Sequence, residues 1–339
     1  MEQNIAIIGA GFAGAILAYR LKTQGFNITL FEKSRGVGGR LSSCRLPHGY
    51  ADLGAPIFDR AVPDPLDAQP DAPNPFYDWL STFSAVQHWS AHCTTLASPH
   101  QSSYVAHYLT SRERQNSLIR ELTQGCDIIL GTRVANIVPQ NGEVSLYDED
   151  KKLLGSYSHA IVTAPAPQAA PLFNAAAPAL SVAAQQVSYA PSWITIIQLE
   201  NSSGIHADYL SGSHPIIARL CKDSSKPQHR TTETTEVWCL EATPEWSLQQ
   251  VNSDIDTVAR LLKEAFDSLL KQPAAISFQR THRWLFARAN NPYPDLFLHC
   301  SESQISAAGD WLGSPNLEGV WKSANALADK LINKKAERK

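Results

Sequence analysis

The stretch "NIAIIGAGFAGAILAYRLKTQGFNITLFEK", residues 4–33, leaves this chain few folds to choose from. Its apolar run "NIAII" leads into Gly9, Gly11 and Gly14 in G-x-G-x-x-G spacing. Then Ile16, Leu17 and Leu21 recur at helical spacing, with Gly25 as a C-terminal stop. "NITLFE" is a second strand-like run, so the whole reads as strand, turn, helix, strand: a βαβ unit. The three glycines serve a tight turn, close backbone approach to a pyrophosphate, and close helix–strand packing. Phosphate at such a turn meets the free N–H groups and positive end of the helix. The second strand ends in Glu32, eighteen residues beyond Gly14. A carboxylate there accepts from a ribose 2′-hydroxyl and repels a 2′-phosphate. The pattern predicts a dinucleotide and leaves NAD and FAD both open.

The next segment, "FEKSRGVGGRLSS", separates the two. Gly38 and Gly39 let the backbone fold against a cofactor, and Arg40 sits where a guanidinium can grip phosphate oxygens in a forked contact. A dinucleotide held by a helix end on one side and an arginine on the other is enclosed. That suits a group retained through turnover, and FAD is the natural candidate.

With 43% hydrophobic and 18% charged residues, the 339-residue chain has a globular balance and length for two domains or one large one. A net charge of -3 lacks the basic excess of a nucleic-acid binder, and the closing "NKKAERK" reads as a solvated helix end. Cys44, Cys93, Cys126, Cys221, Cys239 and Cys300 are scattered, with no C-x-x-C and no Cys/His cluster. This predicts no metal site, no disulfide framework, and reduced thiols in a cytoplasmic protein. The uncharged run Ile5–Tyr19 is too glycine-rich for a signal peptide and lacks a basic leader. A second uncharged stretch, Ala160–Leu199, is broken by five prolines and is not expected to span a bilayer.

Further along, "AVPDPLDAQPDAPNPF", residues 61–76, predicts a surface loop or lid. "FYDWLSTF" and "NSLIRELTQG" predict short helices, and residues 127–165 predict consecutive strands with "NG" as a hairpin turn. The last of these, "HAIVTAP", is apolar throughout, as in a strand returning to a buried sheet. "WITIIQL", "PIIARLC" and "EVWCLEA" read as strands of a different region. The same region holds an amphipathic helix with Ile255, Val258, Leu262, Phe266 and Leu269 on one face. After "HRWLFA" come the strand pair "LFLHC" and "ISAAGDW" and a final helix around "EGVWKSANALADKLI". The expected organisation is an α/β nucleotide-binding domain of residues 1–76, 105–170 and 285–339. A mixed α+β substrate domain of residues 77–104 and 171–284 is inserted into it.

"EKSRGVGGRLSS", "ADLGAPIF" (Ala51–Phe58) and "AGDWLGSPNLEGVWKSANALADKL" resemble the flavin amine oxidase superfamily. The short length, the "GDW" and "THRWLFARA" from Thr281 most resemble its bacterial renalase-like branch. The resemblance implies a glutathione reductase-type, FAD-binding Rossmann-like domain with non-covalent FAD. Gly9, Gly11, Ala13, Gly14 and Gly39 would flank the pyrophosphate, Glu32 would bind the adenosine ribose, and Arg40 the phosphates. Ala55, Pro56 and Ile57 would pass beside the flavin ring, and Val134 would contact the adenine through its backbone. Asp310 would bind the ribityl chain, and the helix starting near Glu318 would point its N-terminus at the isoalloxazine, where a reduced flavin carries negative charge. Three departures stand out: Pro56 where a polar residue is usual, "TSRERQNSL" (Thr110–Leu118) in place of a small glycine-containing turn, and Ser323-Ala324 for serine-glycine.

Enzymes of that branch oxidise 2- or 6-dihydro-NAD(P) isomers by hydride transfer to flavin N5, forming NAD(P)+ and hydrogen peroxide from oxygen. Loss of hydride from a dihydropyridine leaves an aromatic cation, so no proton need be abstracted, and the motifs offer no recognisable catalytic dyad or triad. His282, Trp284 and Arg288 are the substrate-binding candidates, as aromatic wall and cation for a flat, phosphate-bearing donor. The alternatives are an amine oxidase or desaturase of the same fold, a sugar-ring mutase, or a flavoprotein that only binds or senses its cofactor. A flavin monooxygenase is disfavoured, because "HAIVTAP" continues as "APQAA" without an Asp-Gly motif.

Overall fold

Alternate residues of the first strand, Asn4–Ile8, face two different cores: Ile5 and Ile7 one, Ala6 and Ile8 the other. A strand buried on both faces belongs in the middle of a parallel sheet, and there it lies. The structure, a computed structural model, describes residues 4–47, 49–58, 74–101, 103–227 and 235–337. Its six-stranded sheet runs in the order Leu298–Cys300, Ile305–Ala307, His159–Val162, Asn4–Ile8, Asn27–Glu32, Asp127–Leu130. All neighbours are parallel except the first pair. The helices Phe12–Lys22 and Leu317–Ala336 pack together on one face, burying Ile16, Leu17 and Leu21 against Val320, Leu327 and Leu331. On the other face lie a three-stranded antiparallel sheet (Asn136–Gln140, Glu143–Tyr147, Leu153–Tyr157) and the helices Ala166–Phe173 and Pro178–Gln185.

A second, seven-stranded mixed sheet has the order Ile276–Ala289, Tyr189–Leu199, Val237–Ala242, Ile217–Lys222, Tyr209–Ser211, Val86–Thr95, Tyr104–Ser111. The amphipathic helix Ile255–Asp267 covers one face through Val258, Leu262 and Phe266. It starts one residue after its Asp254 cap, which leaves Ile255 exposed at its first turn. The other face packs on a hairpin of Ser43–Leu46 and Gly49–Asp52 and on Leu53 and Ile57, so this sheet faces the segment that follows the second strand of the six-stranded sheet's βαβ unit.

The domain boundaries differ from those expected. Strand Tyr104–Ser111 pairs along its length with Val86–Thr95 in the seven-stranded sheet, and strand Ile276–Ala289 continues past residue 285. Phe76, Leu80 and Phe83 are buried in the core of the nucleotide-binding sheet, and so, on its other face, are Phe173 and Leu180. In each case strand pairing or helix burial extends beyond the change in composition. Residues 61–73 of the expected lid lie outside the described residues; Asn74 caps the helix Pro75–Leu80. All six cysteines are free. Among the described residues no helix is long and apolar enough to cross a membrane, and no cluster of His, Cys, Asp or Glu could hold a metal.

Candidate active site

Gly9 adopts φ +113°, and a Cβ there would sit 2.7 Å from Thr163 Oγ1. A Cβ on Gly14 would land on the Gly9 carbonyl, so the helix and the turn touch only because position 14 is glycine. Gly11 is different: a Cβ on it would project into open space. Gly11 is also the N-cap of helix Phe12–Lys22, has no side chain to cap it, and precedes a first turn without an acid. Open space over an uncapped helix end is a cradle for an anion. Ala13, in that first turn, is buried. At the end of the second strand Glu32 is buried, accepting from Ala10 N–H at 3.0 Å and Ser34 N–H at 2.8 Å. A carboxylate has about four acceptor sites, so two donors leave capacity for a ribose hydroxyl.

The Gly38–Arg40 turn folds onto this loop. Gly38 N–H donates to the Ala10 carbonyl at 2.9 Å, and a Cβ on Gly39 would lie 3.4 Å from Gly11 Cα. Behind it, Leu53 and Ala55 N–H donate to Ser42 and Arg40 carbonyls, each at 3.0 Å, which clamps the Leu53–Ile57 segment to the turn. Ala55 is partly exposed there, whereas Pro56 and Ile57 are buried.

Arg40 joins three distant parts of the chain. Its Nη1 donates to Asp310 Oδ2 at 2.6 Å and to the Phe286 and Ala287 carbonyls at 3.2 and 3.1 Å. Those carbonyls belong to a bulge: between the pairs Tyr189/Ala289–Ala190/Arg288 and Ser192/Trp284, three residues of one strand stand opposite Pro191. Proline has no N–H to occupy the ladder there, and the bulge turns its carbonyls to the guanidinium. Desolvation alone would lower the Arg40 pKa, but the Asp310 carboxylate outweighs it and raises it. Asp310 Oδ1 accepts from the Tyr189 hydroxyl at 3.1 Å, and burial together with that carboxylate holds the phenol protonated. Two ties then hold the Gly309–Trp311 loop. Gly309 N–H donates to Ser323 Oγ at 2.9 Å, and Trp311 Nε1–H to the Ala164 carbonyl at 3.2 Å.

The helix Leu317–Ala336 is capped by Asn316, whose Oδ1 accepts from Gly319 N–H at 2.7 Å. Glu318 sits in its first turn, where an acid favours the dipole, and pairs with Lys322 at 2.7 Å. Val134 is buried between the strands ending at Leu130 and beginning at Asn136. On the seven-stranded sheet His282 and Trp284 meet edge to face at 4.4 Å, and Trp284 Nε1–H donates to the Leu53 carbonyl at 2.8 Å. Burial, then Arg280, lowers the His282 pKa, so its imidazole is neutral at neutral pH. Arg288 lies beyond the bulge and is exposed. Thus the glycines, Glu32, Arg40, Ala55 and Asp310 converge, with Trp284 and His282 alongside.

Three features were not foreseen from the sequence. Tyr189 orients Asp310. Lys226 Nζ bridges Asp52 Oδ2 at 2.7 Å and Asp223 Oδ1 at 2.6 Å, all three side chains being at most 2% exposed. Asp52 Oδ1 also accepts from Ser43 Oγ and Gln115 N–H, so the strand leading into Leu53–Ile57 is anchored from three sides. Only the Asp52 end lay in a recognisable motif; nothing near Lys226 marks its partner 174 residues away. The third is the pair Arg219–Glu241 on the sheet face that carries His282.

The model of flavin containing amine oxidoreductases matches residues 75–296, and that of an NAD(P)-binding Rossmann-like domain matches residues 7–66. The chain therefore belongs to the flavin containing amine oxidoreductase family. It is a flavin-dependent oxidoreductase whose cofactor is FAD, and the open cradle at Gly11, the uncapped helix and the half-used Glu32 carboxylate fit that dinucleotide. Protoporphyrinogen oxidase 2 of Arabidopsis thaliana is 39% identical over 62 residues, 18% of this chain and 12% of that protein. A 4,4'-diapophytoene desaturase of Staphylococcus aureus is 42% identical over 55 residues, 16% of this chain and 11% of that protein. Over whole chains the fold is shared with cyclohexylamine oxidase from Brevibacterium oxydans (TM-score 0.75, 11% identity, 99% and 100% covered). It is shared also with a putative protoporphyrinogen oxidase from Exiguobacterium (TM-score 0.73, 12% identity, 98% and 99% covered).

Proposed function

We propose that the protein is a renalase-like oxidase that takes hydride from 2- or 6-dihydro-NAD(P), releases NAD(P)+, and passes the electrons to oxygen as hydrogen peroxide. The observation that carries this reading is the wall formed by Trp284 and a neutral His282, tied to Leu53 beside Ala55. Hydride loss turns a neutral dihydropyridine into an aromatic cation. A neutral imidazole and an indole face stabilise that cation, whereas an imidazolium would oppose it. FAD, when bound, supplies the two-electron acceptor. The residues of the chain then have to hold the donor carbon at about 3–3.5 Å and keep water out, with no proton to remove. Trp284 is fixed for that by its own hydrogen bond, and the Leu53–Ile57 segment by Arg40, Ser42 and the buried Lys226–Asp52 pair.

The test is anaerobic mixing of the yellow holoprotein with each dihydronicotinamide isomer, ordinary NADH and a panel of primary amines. Rapid bleaching by an isomer, and not by NADH or amines, is expected. Bleaching by amines alone contradicts the proposal in favour of an amine oxidase, and no bleaching by any donor contradicts it in favour of a sensor.

A further inference from the structure

Four neighbouring strands of the seven-stranded sheet carry His282, Ile194, Glu241 and Arg219 in one row of directly opposed residues. Opposed residues project from the same face, so the row shares the face on which His282 meets Trp284. Strand spacing of about 4.8 Å puts Glu241 roughly 10 Å from His282 and Arg219 roughly 14 Å. One apolar residue, Ile194, separates the aromatic wall from the charged pair. Arg219 Nε donates to Glu241 Oε2, and the buried Tyr209 is a further hydrogen-bond partner of Arg219.

The pair is deep but not closed. Both residues are half-buried: the Arg219 side chain keeps 30% of its surface open and that of Glu241 19%. Arg40, on the cofactor loop, has the same profile at 32%. The ion pair Lys226–Asp52, by contrast, is sealed at 1% and 0%. Both side chains thus keep surface within reach of a ligand, and a donor beside an acceptor is what a primary amide, with one carbonyl and two N–H donors, pairs with.

We propose that Arg219 and Glu241 read the carboxamide of the substrate, an inference that rests on the dihydronicotinamide reading above. The amide oxygen accepts from Arg219 and the amide NH2 donates to Glu241, while the ring lies toward Trp284 and His282. A carboxylate in place of the carboxamide would confront Glu241 with like charge and offer it no donor, so the pair selects amide over acid.

Nicotinamide and nicotinate are titrated into oxidised holoprotein, with binding read from the visible spectrum of the flavin, which needs no turnover. Nicotinamide is expected to bind at least about tenfold more tightly than nicotinate. In Glu241→Gln that ratio is expected to fall to within about threefold, through better nicotinate binding. Should the single variant not fold, Arg219→Gln/Glu241→Gln replaces the ion pair by two neutral amides and is expected to lose the preference likewise. Equal binding by the wild type, or a ratio unchanged in whichever variant folds, overturns the subsite. Bleaching by dihydronicotinamides without amide preference sinks the subsite alone; amide preference without bleaching supports the subsite and sinks the reaction.

Discussion

Replacing Arg40 by Met tests the junction where the turn after the second strand, the bulge and the Gly309–Trp311 loop meet. The substitution removes the partner of Asp310, 270 residues away, and strips the donor from the Phe286 and Ala287 carbonyls. Asp310 is 5% exposed, and the Tyr189 hydroxyl remains on its other oxygen. Removing one member of a buried ion pair costs about 3–5 kcal/mol, chiefly because the remaining charge is stranded. Arg40 keeps 32% of its side-chain surface open, so the low end, about 3 kcal/mol, applies. In a chain of this size that lowers Tm by roughly 4 °C. If stranding is the cause, Arg40→Met/Asp310→Asn recovers most of the loss, since the double variant has no buried charge at the junction. Differential scanning calorimetry of both, with FAD content read from visible absorbance, makes the comparison. A single variant that melts within about 1 °C of wild type, or a double no more stable than the single, refutes the reasoning. Full FAD content in Arg40→Met would separately count against a cofactor grip by this residue.

Gly14→Ala is expected to purify with little or no FAD, because its Cβ would overlap the Gly9 carbonyl and force helix and turn apart. Normal flavin absorbance would contradict that packing. Glu32→Gln is expected to weaken FAD binding at least about tenfold while leaving hydride transfer in loaded molecules within about twofold, as measured by equilibrium dialysis and anaerobic stopped flow. Stability should fall with acid through His159, whose pKa burial lowers from 6.5 to about 3. The unfolded chain takes up a proton below pH 6.5 while the folded one refuses it until about pH 3. Stability is therefore complete above pH 6.5 and declines by up to about 1.4 kcal/mol per pH unit beneath it. Denaturant midpoints between pH 7 and 5 should show this loss, and a smaller one in His159→Gln; parallel profiles would exclude it.

The sequence exposed those parts of the fold whose signals are local. Residues 4–33 announce their strand, turn, helix and strand because apolar spacing and glycines act within a few residues of one another. Strands Val86–Thr95 and Tyr104–Ser111 went unread for the opposite reason. The buried positions of the first include Ala91 and Cys93, small residues whose alternation with His88, Ser90 and His92 gives a weak period-two signal. The site was half legible. Glu32, Arg40 and Asp310 stood out by motif, but that Arg40 pairs with Asp310 depends on a bulge opposite Pro191, and no local rule brings those segments together. Likewise Arg219 and Glu241 became neighbours only through strand register.

The central claim is that one cradle, from Gly9 to Glu32 at one end and Arg40 to Asp310 at the other, holds a whole dinucleotide. Calorimetric titration of flavin-free protein with FAD and with FMN, which lacks the adenosine half, tests it most directly. The account predicts one FAD per chain and FMN weaker by at least about a hundredfold, because FMN has no adenylate to reach the half-used Glu32 carboxylate. Equal affinities, or protein that takes up neither flavin, would contradict it.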